Sequence, residues 1–195
     1  MRSSRPSASW LAVDPEEDAG AGAHSQYRTC RSYHEVVSVA LARIASHTER
    51  AACATRIERW AAARLAEGGT VVAVDRQPDA ETWYLRLRGD EKDFVTIWLT
   101  MRQRTMHHEA QVMPAPEVNI RETYEYLLRR NAEIYQMRFA LGPEEAVYLI
   151  GEVPVASVDD DELDRIVGSS LAYVDAVFPV AMSIGFAGRY HRRPV

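Results

Sequence analysis

Three parts of the chain place apolar residues at every third or fourth position, which is the period of an amphipathic helix. The first part begins at Tyr33. Its string "SHTE" at 46–49 is a capping box that would open a second helix, although the two stretches could equally form one kinked helix. Gly68 and Gly69 are expected to end it. The second part covers 119–131 and the third covers 159–177. The pattern therefore predicts helices early, in the middle and late in the chain.

The middle helix has clear signals at both of its ends. Asn119 is a good N-cap residue, and Asn131 tolerates the left-handed conformation that often closes a helix. Between them, the spacing predicts that Tyr124, Leu127 and Leu128 form the buried stripe.

Elsewhere the hydrophobic period changes to two, which is the period of a β-strand. Turn-forming residues separate the alternating segments by short distances, so the first four are expected to form an antiparallel meander. The last segment is almost wholly apolar and is expected in the interior of the sheet. The order α-β-β-β-β-α-β-β-α predicts an α+β fold, one antiparallel sheet packed with helices. The predicted strands cover 70–75, 82–88, 94–101, 106–113, 134–141 and 146–151.

Two neighbouring strands of the predicted meander have a distinctive outward face. If their purely apolar positions meet the helices, then Tyr84, Arg86, Phe94 and Trp98 point away from them. Aromatic residues and arginine dominate protein interfaces, so these four residues are the candidate partner-binding site. The alternative is cross-strand aromatic pairing and arginine stacking that only stabilise an exposed sheet.

The acidic run "DDDELD" at 159–164 is the first candidate for a metal site. A calcium loop needs ligands at alternating positions and a glycine at the sixth, whereas here Leu163 is fifth and Asp164 sixth. Asp159 followed by Glu162 fits a helix cap instead, with acids at the positive end of the helix dipole. The run therefore predicts a helix start, and Pro179 is expected to end that helix.

A second candidate for chemistry is "MHHE" at 106–109. On a strand, His107 and Glu109 share one face and His108 takes the other, so three ligands do not converge. We expect a solvated sheet edge here. The sequence has no nucleophile elbow, phosphate-binding loop or dinucleotide glycine pattern. It therefore predicts no catalytic, metal or cofactor-binding residues.

Composition narrows the class further. The chain has 195 residues, 47% hydrophobic and 26% charged, and a net charge of -5. These values suit a single cytoplasmic domain and argue against binding to nucleic acid or to a membrane. Residues 1–32 have no apolar period and are predicted to be a disordered extension of a domain over 33–195. Cys30 and Cys53 give no disulfide framework.

Several strings in the second half resemble the actinobacterial branch of the YbjN-domain family, described as bacterial sensory transduction regulators. Together they span 114–186. The matching strings are "PAPEVN" at 114–119, "LLRRN" at 127–131, "FALG" at 139–142, "YLIGEVP" at 148–154, "ELDRIVG" at 162–168, and Gly185-Phe186.

The resemblance implies a fold similar to type III secretion chaperones, an α/β sandwich that is commonly dimeric and binds another protein. It implies no catalytic residues and no cofactor. We therefore expect a non-enzymatic protein-binding domain with a regulatory or chaperone-like role, acting as a homodimer. The alternatives are a module for dimerisation alone, and a small-molecule sensor or cryptic enzyme that uses Arg129, Arg130 and nearby acids.

Overall fold

The computed structural model of the chain describes residues 42–191. The predicted extension over 1–32, the predicted helical segment from Tyr33 to residue 41, and Cys30 lie outside the described residues.

The described residues form three α-helices and six strands in the predicted order, and the α+β class is confirmed. Every pairing in the sheet is antiparallel. The strand order is β1-β2-β3-β4-β6-β5, so the apolar strand β6 lies in the interior of the sheet as predicted. In chain order the elements are α1 His47–Ala66, β1 Val71–Gln77, β2 Thr82–Arg88, β3 Phe94–Met101, β4 Thr105–Met113, α2 Ile120–Arg130, β5 Met137–Leu141, β6 Val147–Pro154 and α3 Asp160–Gly185.

Helix α1 begins at the predicted capping box. The Glu49 amide donates to Ser46 Oγ at 3.2 Å, and the Ser46 amide donates to Glu49 Oε2 at 2.8 Å. Two otherwise unpaired amides are thereby satisfied. Gly68, with a φ of 67°, follows the end of the helix in the left-handed region that glycine adopts without strain.

The helices pack on one face of the sheet, which we call the covered face. α1 packs on β1, α3 packs on β3 and β4, and α2 packs on α3 and β5. Side chains that are partners in the strand register share a face of the sheet. One such row crosses five strands and is buried throughout, and its members are Leu85, Ile97, Ala110, Leu149 and Phe139. This apolar layer between sheet and helices is the core.

Helix α2 departs from the sequence prediction at both ends and on its buried face. The Asn119 side chain makes no cap hydrogen bond and donates instead to the Ile184 carbonyl at 3.1 Å. Thr123 is buried in place of Leu128, which is 67% exposed. Asn131 keeps a right-handed helical conformation, and its side chain bonds both backbone groups of Phe139 in β5. Tertiary partners therefore decide how this helix begins, ends and packs.

Helix α3 begins as predicted, with the Glu162 amide donating to Asp159 Oδ1 at 2.8 Å. The prediction that Pro179 ends it is wrong, because the helix continues to Gly185. Pro179 is buried, as are Val177 and Ala181 on either side of it. Packing against the core therefore outweighs the hydrogen bond that proline cannot donate. By length and composition α3 could also cross a membrane, a test that core helices pass as well.

Candidate protein-binding face

The opposite side of the sheet, which we call the helix-free face, carries the predicted site. Its central register row is Tyr84, Trp98, Glu109, Ile150 and Arg138, which crosses the same five strands as the buried row. The first four of these side chains are half-buried and Arg138 is exposed. No described helix crosses this face, so the half-burial comes from contacts between neighbouring side chains.

Three aromatic rings form a continuous line across the helix-free face. Tyr84 and Trp98 are register partners with ring centroids 6.4 Å apart and an edge-to-face angle of 76°. Trp98 meets Tyr148 on β6 at 6.5 Å and 56°. The Tyr84 hydroxyl donates to Gln77 Oε1 at 2.8 Å, which fixes one end of the line. Ring contacts of this kind hold the three side chains in place, so the line is a preorganised surface.

The other two predicted residues also form a pair. The Arg86 guanidinium lies 4.1 Å from the centroid of the Phe94 ring, a cation–π contact at the surface. Phe94 is 41% exposed, so the stack leaves ring surface open. The structure thus places all four predicted residues on one face as two adjacent pairs.

Sequence reasoning missed Tyr148 as a member of this face. Its strand alternates buried Val147 and Leu149 with half-buried Tyr148, which is the same signal that identified Trp98. What the sequence did not supply was the strand order, because β6 reaches Trp98 only by pairing with β4.

The "HHE" string lies inside the sheet, and the prediction of a solvated edge is wrong. β4 pairs with β3 on one side and β6 on the other, so His107 and His108 are both buried. His107 belongs to the helix-free face, where its Nε2 lies 3.2 Å from Glu109 and its Nδ1 lies 3.5 Å from Glu152. Arg102 donates to Glu152 at 2.6 Å and extends this polar end of the face. Across residues 42–191, no group of three acidic, histidine or cysteine side chains has metal-binding geometry.

His108 is the one buried polar side chain that the described strands place on the covered face. It is 1% exposed, and burial, with a smaller contribution from His107, lowers its pKa to about 4. Its ring occupies the space beside Gly151, where a Cβ would also come within 2.9 Å of the Gln136 carbonyl. The glycine therefore makes room for a neutral imidazole in the core.

A second apolar surface lies where α2 meets the edge strand β5, and we call it the α2–β5 surface. Ile120, Tyr124 and Leu128 follow one another at helical spacing, and Leu141 lies at the end of β5. Ile120 and Leu141 are each 49% exposed. An apolar cavity of about 240 Å³ opens between the helix and the strand, lined in part by Tyr124, Leu128 and Leu141.

The arginine pair that the sequence offered for a sensor or enzyme site is engaged within its own helix and the turn after it. Arg129 pairs with Glu125 at 2.6 Å, and Arg130 pairs with Glu133 at 2.5 Å. Both contacts are exposed and local in sequence, so each contributes little to stability. The structure therefore does not bring these two arginines together with acids in a polar pocket.

Comparison with known proteins gives matches at the level of sequence and of structure. Over 108 residues the chain is 32% identical to uncharacterized proteins of Mycobacterium tuberculosis and Mycobacterium bovis, an alignment that covers 55% of this chain and 59% of each relative. An uncharacterized protein of Mycobacterium leprae is 31% identical over 102 residues. Among solved structures, the heterodimeric complex ExoU–SpcU from the type III secretion system of Pseudomonas aeruginosa contains a chain of which 81% matches 50% of this one, with a TM-score of 0.41 and 16% identity.

The described elements define a two-layer α+β domain whose antiparallel sheet is covered by helices on one face and free of them on the other. Residues 54–181, well over half of the chain, match the model of a family described as "Putative bacterial sensory transduction regulator". The chain belongs to this family, YbjN, as its sequence strings predict.

Proposed function

We propose that this chain is a non-enzymatic protein-binding subunit with a regulatory or chaperone-like role, and that its partner docks on the helix-free face. The observation that carries the proposal is the line of Tyr84, Trp98 and Tyr148 beside the Arg86–Phe94 stack. Aromatic and arginine side chains that are already held in place lose little entropy on binding, and they are the residue types that form binding hot spots.

The charges of the helix-free face favour a protein over a nucleic acid as the partner. Arg86 and Arg138 lie on the same face as Glu109 and Glu152, so both signs are interspersed. A nucleic-acid surface would instead need a continuous positive stripe. Membership of a family of regulators agrees with a protein partner.

The test compares capture of partner proteins by the intact chain and by a Phe94→Ser, Trp98→Ser double variant. Partner capture from the cytosol of the source bacterium is expected to fall at least ten-fold, because the Tyr84–Trp98 and Arg86–Phe94 pairs each lose a member. The matched control is Val180→Ser on α3, because Val180 and Phe94 are each 41% exposed. Equal capture by the double variant and the control, with both folded by circular dichroism, contradicts the proposal.

We further propose that the chain acts as a homodimer through the α2–β5 surface. Among the described strands β5 pairs with β6 alone, so no strand covers its outer edge, where the Asn131 side chain bonds the backbone of Phe139. Exposed Leu141 and Leu128 lie beside this edge. Open edges and apolar patches of this kind are commonly covered by another chain. A second copy related by a two-fold axis would place these apolar side chains against their own counterparts, helix against helix, which makes the surface self-complementary.

Light scattering after size exclusion tests the dimer. The intact chain is expected at twice its mass of 22.0 kDa, and Leu128→Asp is expected to shift it to the monomer. Leu65→Asp, at an exposed leucine near the end of α1, is the matched control and should leave the dimer intact. A monomeric intact chain, or equal dissociation by both variants, contradicts the dimer without bearing on the helix-free face.

The proposed location is the cytoplasm. Cys53 is a free, buried thiol, and burial raises its pKa to about 11, so it behaves as a small apolar core residue. A protein with such a thiol suits a reducing compartment. Cell fractionation tests the location, and recovery of the chain in the membrane or extracellular fraction contradicts it.

A further inference from the structure

Lys92 is the only lysine in the sequence, and the other 22 of its 23 lysine and arginine residues are arginines. Arginine stays protonated in proteins, whereas lysine becomes a nucleophilic amine once it loses its proton. Lys92 is therefore the one side-chain amine that can react with a carbon electrophile near neutral pH.

The loop that holds Lys92 is fixed in place. It joins β2 to β3, and the Asp175 carboxylate of α3 accepts the backbone amides of Asp90 and Glu91 at 3.1 Å and of Lys92 at 3.3 Å. Three amides converging on one carboxylate form a rigid clamp. The Lys92 side chain consequently has a defined position and is not a mobile surface lysine.

The amine of Lys92 is held by two backbone carbonyls at the end of β4. Its Nζ donates to Gln111 O at 2.6 Å and to Val112 O at 3.2 Å, and it lies 5.8 Å from the centroid of the Phe178 ring. Burial lowers the pKa of this amine to about 8. A neutral amine has two N–H groups, which suffice for the two carbonyls and leave the nitrogen lone pair available.

Lys92 also lines an open pocket of about 480 Å³, which a small molecule can enter. The other lining residues are Phe94, Phe178, Tyr190, His191, Glu91 and Asp93. The aromatic rings suit an acyl chain, and the carboxylates of Glu91 and Asp93 disfavour an anionic reagent such as an acyl phosphate.

From this geometry we infer that Lys92 is a covalent modification site, which takes an acyl group from a short, uncharged acyl thioester. The Nζ lone pair attacks the thioester carbonyl, the new C–N bond forms, and the C–S bond breaks. The sulfur leaves as a thiolate, and the amine proton passes to solvent. The product is an amide at Lys92 and a free thiol.

Acylation removes a contact that the fold uses. The amide keeps one N–H, so it serves one of the two carbonyls at Gln111 and Val112. Phe94 lies two residues further on and begins β3, where it stacks with Arg86. The modification therefore alters the edge of the helix-free face, and this consequence, unlike the acylation itself, rests on the proposed function.

The test treats the full chain with S-acetyl-N-acetylcysteamine and follows acetylation by peptide mass spectrometry after hydroxylamine has removed acyl groups from cysteine. An Arg59→Lys variant provides an internal reference, because Arg59 has a side chain that is 66% exposed. At pH 7.5 we expect acetylation at Lys92 to be about ten-fold faster than at position 59. A larger fraction of Lys92 is unprotonated at this pH, and this outweighs the lower nucleophilicity of a less basic amine. The rate at Lys92 should level off above about pH 8, and the rate at position 59 should keep rising.

Two further arms complete the experiment. Lys92→Arg keeps the charge and the donors and should show no acetylation at that position. Acetyl phosphate should react more slowly with Lys92, relative to position 59, than the thioester does. Acetylation at Lys92 that is no faster than at position 59, or a Lys92 rate that rises through pH 10, overturns the inference. These results do not depend on partner capture, so they leave the proposed function separately testable.

Discussion

The two faces of the sheet are built from the same strands, and consecutive residues of one strand lie in opposite environments. Leu85 on the covered face is fully buried, whereas its neighbour Tyr84 on the helix-free face is half-buried against Trp98. The buried side chains that the described strands contribute to the covered face are apolar except for His108. The helix-free face carries aromatic, arginine, threonine and glutamate side chains in cross-strand pairs. The first composition serves stability, and the second suits recognition.

The largest effect expected from this comparison is on stability. Leu85→Ala should lower the free energy of unfolding by about 2–5 kcal/mol, because it leaves a cavity in the core. Tyr84→Ala, one residue away, should cost about 1 kcal/mol, because it removes a surface ring contact. Chemical denaturation monitored by circular dichroism measures both. Equal losses would show that the two faces do not differ energetically.

The polar exception on the covered face provides a pH test. His108 has a folded pKa of about 4 against an ordinary value of 6.5, so the unfolded state binds more protons between these values. Stability should therefore fall as pH drops from 6.5 toward 4, by roughly 3 kcal/mol in full. Urea unfolding at a series of pH values measures this loss.

His108→Leu supplies the control for the pH test, because leucine fills similar space and does not titrate. This variant should lose most of the pH dependence between 6.5 and 4. Carboxylates paired in the fold, such as Glu49, lose their contribution as pH falls from an ordinary pKa of 4.5 toward a folded pKa of about 2, so histidine dominates the range between 6.5 and 4.5. An unchanged slope in the variant would contradict burial of a neutral imidazole at this position.

The smallest expected effect is the coupling within the Arg86–Phe94 stack. A double-mutant cycle with Arg86→Met and Phe94→Leu should give a coupling of about 0.5–1 kcal/mol in unfolding experiments. The same cycle with Arg88→Met is the matched control, since Arg88 faces Phe94 in the register without a stacking contact among those observed. Comparable coupling for both arginines would refute a specific stack.

Strand alternation alone predicted which side chains face the helices, and it placed Tyr84, Arg86, Phe94 and Trp98 together on the opposite face. It did not predict that β6 would pair with β4, which brings Tyr148 to Trp98 and buries His107 and His108. That pairing joins strands separated by α2 and β5, so no local pattern encodes it. The predictions that Leu128 is buried and that Pro179 ends its helix were wrong for a related reason, because tertiary packing overrides local signals.

The central claim is that a protein partner docks on the helix-free face, and the most direct measurement is a photocross-link from inside it. Benzoylphenylalanine introduced at Trp98 in living cells of the source bacterium is expected to form a discrete covalent adduct with a partner protein on illumination. The same residue at Arg59, whose side chain on α1 is 66% exposed, is expected to form none. No adduct from position 98, or the same adducts from both positions, would contradict the account.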